Sequence, residues 1–207
     1  MKIGSLTNTF TLYAYQEDRD YNAIADRFTR NTHIALDFLV RTNILTLPFE
    51  DDGIEEKIDI IDVLVADTTN NITIVPGNRN AYNHRLNSVM FQDTHGVLFR
   101  KNHRKSWFRK NKGVNSPVAL LSHELIHCYN ELYDNEDYLS RKKDHSHRGQ
   151  KLDLDGHDLS FPNAEEAFVI KMTNLVAKRL GEDKRSNYGR TYYPTQGVLT
   201  TKRKRKG

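Results

Sequence analysis

The sequence predicts an α+β chain: a small mixed sheet with a long N-terminal helix, followed by two helices that frame a candidate metal site. Three observations carry this. Helix-spaced apolar residues run from about position 20, short β-rich segments lie between 57 and 100, and two capped helical stretches open at Ser116 and Asn163. The length of 207 residues favours a single domain over 1–200, with 201–207 as a basic tail.

The elements follow in order. Residues 3–15 alternate loosely and suit a strand. From Asp20, a candidate cap, Ile24, Phe28, Ile34, Ala35, Phe38 and Leu39 share one broad helix face, and Pro48 lies beyond its end. Residues 57–66 and 71–75 read as strands joined by a turn at 67–70, with Pro76-Gly77 closing the second. Residues 88–92 and 97–100, around His95-Gly96, read as another pair. Ser116-Pro117 places a capping hydroxyl before a proline at a position where no N–H is needed, and helix spacing then runs to about Tyr133. Residues 134–162 read as a long polar loop, and such loops are often functional. Asn163 opens a last helix that ends near Leu180, with Gly181 at its stop.

Composition removes several classes. Only 37% of residues are hydrophobic, and no apolar run approaches the roughly 20 residues of a membrane span. The single cysteine, Cys128, excludes an internal disulfide framework and a Cys-rich zinc ribbon. The first residues show no signal-peptide block, so a cytoplasmic location where the protein is made is expected. The net charge of +4 conceals an asymmetry. Residues 100–112 hold seven Lys/Arg and no acid, and residues 202–206 hold five more, leaving 19 basic against 27 acidic residues elsewhere. These two blocks are either solvated charge or a tether to an anionic partner such as nucleic acid.

The chemistry concentrates in His123-Glu124-Leu125-Ile126-His127, inside the helix that begins at Ser116. Positions i and i+4 share a helix face, so both imidazoles reach one ion, and Glu124 is placed to act as base. This is the zinc-protease arrangement, Zn²⁺ with two histidines and a carboxylate base that activates a zinc-bound water. A third histidine of the metzincin kind is absent, because position 133 is Tyr and position 130 is Asn. The remaining supply is a Glu from the following helix: Glu166 as third ligand, or Glu165, which otherwise orients a ligand histidine. A structural role competes for Glu166, because Asn163-x-x-Glu166 has the spacing of a capping box.

The stretch SPVALLSHELIH, the Glu-Glu helix start and the ending NLVAKRLGEDKRSNYG together resemble the NleD-like effector zinc metalloproteases over roughly residues 88–190. A more distant likeness is to clostridial neurotoxin light chains. The resemblance implies a zincin-like fold, hydrolysis of peptide bonds in a protein substrate, and secretion as an effector into a host cell. It also implies that Arg185 and Tyr188, which have the Arg-x-x-Tyr spacing, support the transition state. In this sequence that pair lies much closer to the Glu-Glu helix than in the toxins, and Cys128 stands where a small Ala is expected. In such enzymes the substrate lies extended beside an edge strand, for which 88–92 or 97–100 are candidates.

Other residues admit plainer readings. His145, His147 and His157 with Asp144, Asp153, Asp155 and Asp158 form either a second metal site or a solvated loop. Cys128 reads as a small buried hydrophobe rather than a nucleophile. Trp107 and Phe108 read as an anchor for the basic loop or as a stacking platform for single-stranded nucleic acid. Two rival functions remain: a component of a large assembly, viral packaging included, and a nucleic-acid-binding module.

Overall fold

Ser116 starts the central element of the fold. Its hydroxyl accepts from the Ala119 N–H, Pro117 occupies the first turn, and α3 (Pro117–Tyr133) follows. Every residue of this helix from Pro117 to Asn130 is buried. A helix covered all round must be packed on all sides, and α3 contacts elements of both classes. The computed structural model describes residues 10–11, 26–51, 54–101, 112–152 and 158–204. Among these the chain is α+β, with helices α1 (Arg27–Thr42), α2 (Ile60–Ala66), α3, α4 (Asn135–Lys143) and α5 (Ala164–Arg179).

The strands form small sheets. β1 (Phe10–Thr11), β4 (Thr73–Pro76), β5 (Ala81–Asn83) and β6 (Ser88–Phe91) make a mixed sheet in the order β1-β4-β6-β5, parallel only between β4 and β6. β2 (Thr46–Asp51) and β3 (Ile54–Asp59) form an antiparallel ribbon. β7 (His95–Arg100) lies between β8 (Lys112–Asn115) and β9 (Thr191–Pro194). The main core joins Leu36 and Leu39 of α1, Ile60, Ile61 and Leu64 of α2, Ile74, Val89 and Phe91 of the mixed sheet, and Leu121, Leu125 and Ile126 of α3. No helix among the described residues is long and apolar enough to cross a membrane.

Several expectations are corrected. The run 57–66 is not one strand: β3 ends at Asp59 and α2 begins at Ile60. Asp59 is the cause, since its carboxylate accepts from the Ile61 and Asp62 N–H groups and from the Thr46 hydroxyl. β3 therefore pairs with β2, not with the following strand. β6 and β7 do not form a hairpin, because each belongs to a different sheet. The expected loop 134–162 contains α4. Asp26 caps α1 through the Thr29 N–H; Asp20 and Ile24, expected at this helix start, lie outside the described residues, as does the expected strand 3–15 apart from β1. Residues 202–204 fold back along β9, where Lys204 N–H donates to the Pro194 carbonyl, so the basic tail starts within the fold. Residues 205–206 lie outside the described part.

One clasp sets α5 against α3. Gly181 has a φ of +70°, a left-handed conformation that L side chains resist. With it, the Glu182 N–H reaches the Ala177 carbonyl and the Gly181 N–H reaches the Lys178 carbonyl, which closes the end of α5 in a Schellman motif. This turn carries the Glu182 carboxylate to the start of α3, where it accepts from the Ser116 N–H at 2.9 Å and from the Asn115 amide at 3.3 Å. The C-terminus of one site helix is thereby fastened to the N-terminus of the other. Gly181→Ala should destabilise the protein by about 1–2 kcal/mol, the cost of a left-handed non-glycine residue, as read from chemical denaturation midpoints. An unchanged midpoint would show that the clasp contributes nothing.

Candidate metal centre

His123 and His127 lie one turn apart on α3, with ring centroids 4.8 Å apart and planes 85° to one another. Glu166 enters from the first turn of α5. Asn163 caps that helix by accepting from the Glu166 backbone N–H at 2.9 Å, which fixes the residue while its side chain turns to the histidines. Only half of the expected capping box forms, and the Glu166 carboxylate serves the site. Its Oε2 lies 3.3 Å from His123 Nε2 and 3.5 Å from His127 Nε2. One ligand atom from each of the three residues falls within 4.8 Å of the other two, so the group can hold a metal ion.

The hydrogen bonds behind the rings assign their protons. The Thr173 hydroxyl donates to the Val169 carbonyl at 2.8 Å, so its oxygen accepts from His123 Nδ1–H at 3.2 Å. His127 Nδ1–H donates to Glu165 Oε1 at 3.1 Å. With both rings neutral, as metal binding requires, both Nε2 atoms therefore present lone pairs to Glu166 Oε2, itself an acceptor. His127 Nε2 and Glu166 Oε2 are buried and have no hydrogen-bond partner. Acceptors gathered this way need a cation between them. Bonds of about 2.0–2.1 Å in tetrahedral array put neighbouring ligand atoms about 3.3–3.4 Å apart, close to the separations of Glu166 from the two histidines, within a group that spans up to 4.8 Å. The donor set, two imidazole nitrogens and one carboxylate oxygen, suits zinc.

Electrostatics agree with that demand. Burial disfavours the charged form of His127, but the hydrogen bond to Glu165 and the nearby carboxylates of Glu166 and Glu124 outweigh it and raise its pKa to about 9. Burial dominates at His123 and lowers its pKa. Glu166 is held ionised well below the usual carboxylate range: burial works against it, and the two histidines prevail. Without metal, a proton on His127 supplies the positive charge that the site calls for.

Glu165 points away from the metal position. Fully buried, it accepts from His127 at one oxygen together with the Asn130 amide at 2.8 Å. Its other oxygen accepts from Arg141 Nε at 2.6 Å, and Arg141 also donates to Asp134 at 2.8 Å. Of the two glutamates, Glu166 joins the histidines and Glu165 orients His127. No spacing in the sequence marks Arg141, because α4 was hidden in a polar stretch.

A cleft of about 230 Å³ opens over the ligands, lined by Glu124, His127, Glu166, Tyr188, Arg190, Lys142 and residues 79–82. Glu124 is buried and faces it. Tyr188 also lines it, and its hydroxyl pKa is raised by burial and then by Glu166. Arg185 does not line it. The buried Arg185 guanidinium donates to the Tyr188 carbonyl at 3.2 Å, and burial lowers its pKa to about 10. No motif in the sequence singles out Arg79, Asn80 or Arg190; the first two and the third come from distant segments with no shared spacing.

The remaining candidates fall elsewhere. His145 donates to the Pro162 carbonyl, Asp144 accepts from the Ser146 N–H, and Asp158 accepts from Ser160 and Gly149 N–H groups; these bonds close a loop. They form no metal cluster among the described residues, while Asp153, Asp155, His157, Trp107 and Phe108 lie outside them. Cys128 is buried in the main core. Neither expected substrate strand is an edge: β6 runs between β4 and β5, and β7 between β8 and β9. Strand β5, which ends its sheet, supplies the edge beside the cleft.

Compared with known protein families, curated proteins and solved structures, the chain matches none. What the fold and site define is an α+β protein with a buried His-His-Glu group able to hold a metal ion.

Two outcomes test this geometry. Glu165→Gln should weaken binding of a divalent metal ion at this group about 10–100-fold, the usual cost of losing an orienting partner, in competition against a chromophoric chelator. Wild-type affinity would remove Glu165 from the site. Burial first, then Glu131 and Asp67, push the Cys128 thiol up to about 12 against a lowering hydrogen bond with Tyr82. A raised thiol pKa means little thiolate below that value. Cys128 should therefore resist iodoacetamide at pH 8 in folded protein and react only on unfolding, as mass spectrometry would read.

Proposed function

We propose that this chain is a zinc-dependent metalloendopeptidase with a zincin-like arrangement, acting on a protein substrate. The observation that carries the reading is the convergence of His123, His127 and Glu166 beneath a cleft that Glu124 also faces. The order of the HELIH helix, the Glu-Glu helix start and Arg-x-x-Tyr, which resembles the NleD-like effectors, supports it. Residence in a host cell as a secreted effector belongs to the same reading.

His123, His127 and Glu166 would hold the ion, with Thr173 and Glu165 keeping both Nε2 lone pairs turned inward. Bound zinc supplies a Lewis acid that polarises the substrate carbonyl and acidifies water. Glu124 takes the proton from the attacking water and returns it to the leaving amine. The Tyr188 phenol donates to the oxygen on which negative charge develops. Arg185 acts through Tyr188, as a positioning residue, by holding its carbonyl. The substrate backbone extends along the β5 edge, Ala81–Asn83.

The experiment is a pair of variants. Zinc-loaded Glu124→Gln should keep about one zinc per chain by metal analysis and lose about 10²–10⁴-fold in kcat on a peptide library. His123→Ala should lose the zinc itself. Turnover undiminished in Glu124→Gln, or wild-type protein that takes up no zinc, would end the hydrolase reading.

A further inference from the structure

The rim of the cleft has a charge that the proposed hydrolysis does not use. Arg79, Lys142 and Arg190 line it above Glu124 and Glu166. No carboxylate among the described residues makes a salt bridge with any of the three, although the charges of Glu124 and Glu166 reach Arg190 through space; the ion pairs of this region belong to Arg141 and the two histidines. The acidic side chains Glu55, Glu56, Asp134 and Asp137 border a different cleft, lined also by Phe49 and Phe168. Below the rim, Glu124 and Glu166 face the position of a divalent ion, whose two positive charges offset theirs. Three cations thus remain for whatever enters.

Arg190 is the best placed of them. Its guanidinium lies 4.8 Å from the Tyr188 ring centroid and 5.8 Å from that of Tyr192. Cation–π contact with these rings holds the head group in place, and a guanidinium so held can still take a carboxylate in a bidentate fork. The 230 Å³ cleft is smaller than the ~300–1,000 Å³ of pockets for drug-sized ligands, so it fits one side chain or one chain end beside the metal position. Arg79, Lys142 and Arg190 share this one mouth, and cations lining a cleft draw anions to it.

We infer that the cleft selects substrates bearing a carboxylate next to the scissile peptide bond, read by Arg190 with Arg79 and Lys142. This rests on the hydrolase reading and names its substrate class. The carboxylate has two sources, an Asp or Glu side chain or the free C-terminus of the substrate. A side chain preserves endopeptidase action, whereas a free C-terminus makes the enzyme trim chain ends.

The test uses full-length, zinc-loaded protein and malonyl hydroxamates, which anchor on the metal, with affinity read by calorimetry. One arm compares Asp, Asn and Lys amides; the other compares Ala with a free carboxylate against Ala amide. Within at least one arm the anionic probe should bind about tenfold or more tightly than its neutral partner, the worth of a charge-assisted hydrogen bond. Arg190→Gln should bring that ratio to within about twofold at unchanged zinc content, and Arg190→Lys should keep an intermediate ratio. In wild type the ratio should shrink as salt rises. Equal affinity of anionic and neutral probes in both arms, or a preference that survives in Arg190→Gln, would overturn the inference and leave the hydrolase reading standing. A protein that binds no zinc sinks that reading, and this inference with it. An anion preference without hydrolysis of a peptide library would sink the hydrolase reading, and with it the placement of the carboxylate beside a scissile bond.

Discussion

Three acceptor atoms brought together in a dry interior form the constraint around which this molecule is organised. His123 Nε2 and His127 Nε2 flank Glu166 Oε2 at 3.3 and 3.5 Å, and the hydrogen bonds behind both rings turn the lone pairs inward. Such a cluster repels itself unless positive charge sits within it. A fold can hold it only by fixing two helices rigidly against each other. The α5 end does this through Gly181 and Glu182, which seat on the start of α3, while Asn163 fixes the other end. The burial of α3 along nearly its whole length follows from the same requirement, because an exposed helix would let the imidazoles rotate away.

From the ligands, charge is relayed outward in steps. Glu165 is completely buried and ionised, its pKa lowered by His127, Arg141 and Asn130 against the cost of burial. Arg141 lies 4.3 Å over the Phe168 ring and reaches Asp134 near the surface. Removing one member of such a chain strands its partner without solvent, which costs more than the chain contributes when whole. This explains α4, whose side chains are mostly polar and exposed. It packs on α3 and α5, and its Arg141 carries the charge from Glu165 to solvent.

How much of this could be read in advance depended on whether the cause was local. Ser116-Pro117, Asn163 and Gly181 are local signals, each with its own backbone requirement, and α3 and α5 lie where those residues place them. The pairing of His123 with His127 follows from helix pitch alone. The run 57–66 misled because Ile60, Ile61, Val63, Leu64 and Val65 suit a strand by composition, while a single carboxylate, Asp59, decides for a helix. Helix α4 has almost no apolar face; tertiary ion pairs hold it, and these leave no periodicity. Strand order was beyond reach for the same reason: β6 and β7 are adjacent in sequence but enter different sheets. Arg79, Lys142 and Arg190 meet only because three distant segments converge.

A protein kept for packing alone would have little use for this arrangement. Buried ion networks can be replaced by apolar residues of similar volume at little or no loss of stability. Here a lone-pair cluster, an ionised Glu165 and a buried Glu124 lie under one cleft, while cations without a salt-bridge partner among the described residues line its mouth. Each costs desolvation or repulsion, and each is offset when a divalent ion binds below and an anionic group binds above. Neither ligand alone relieves the whole. The cation satisfies the floor and adds to the positive charge of the rim, which strengthens the demand for the anion. On the proposed reading the two binding events are coupled through the field of the cleft, and each strengthens the other by the same factor.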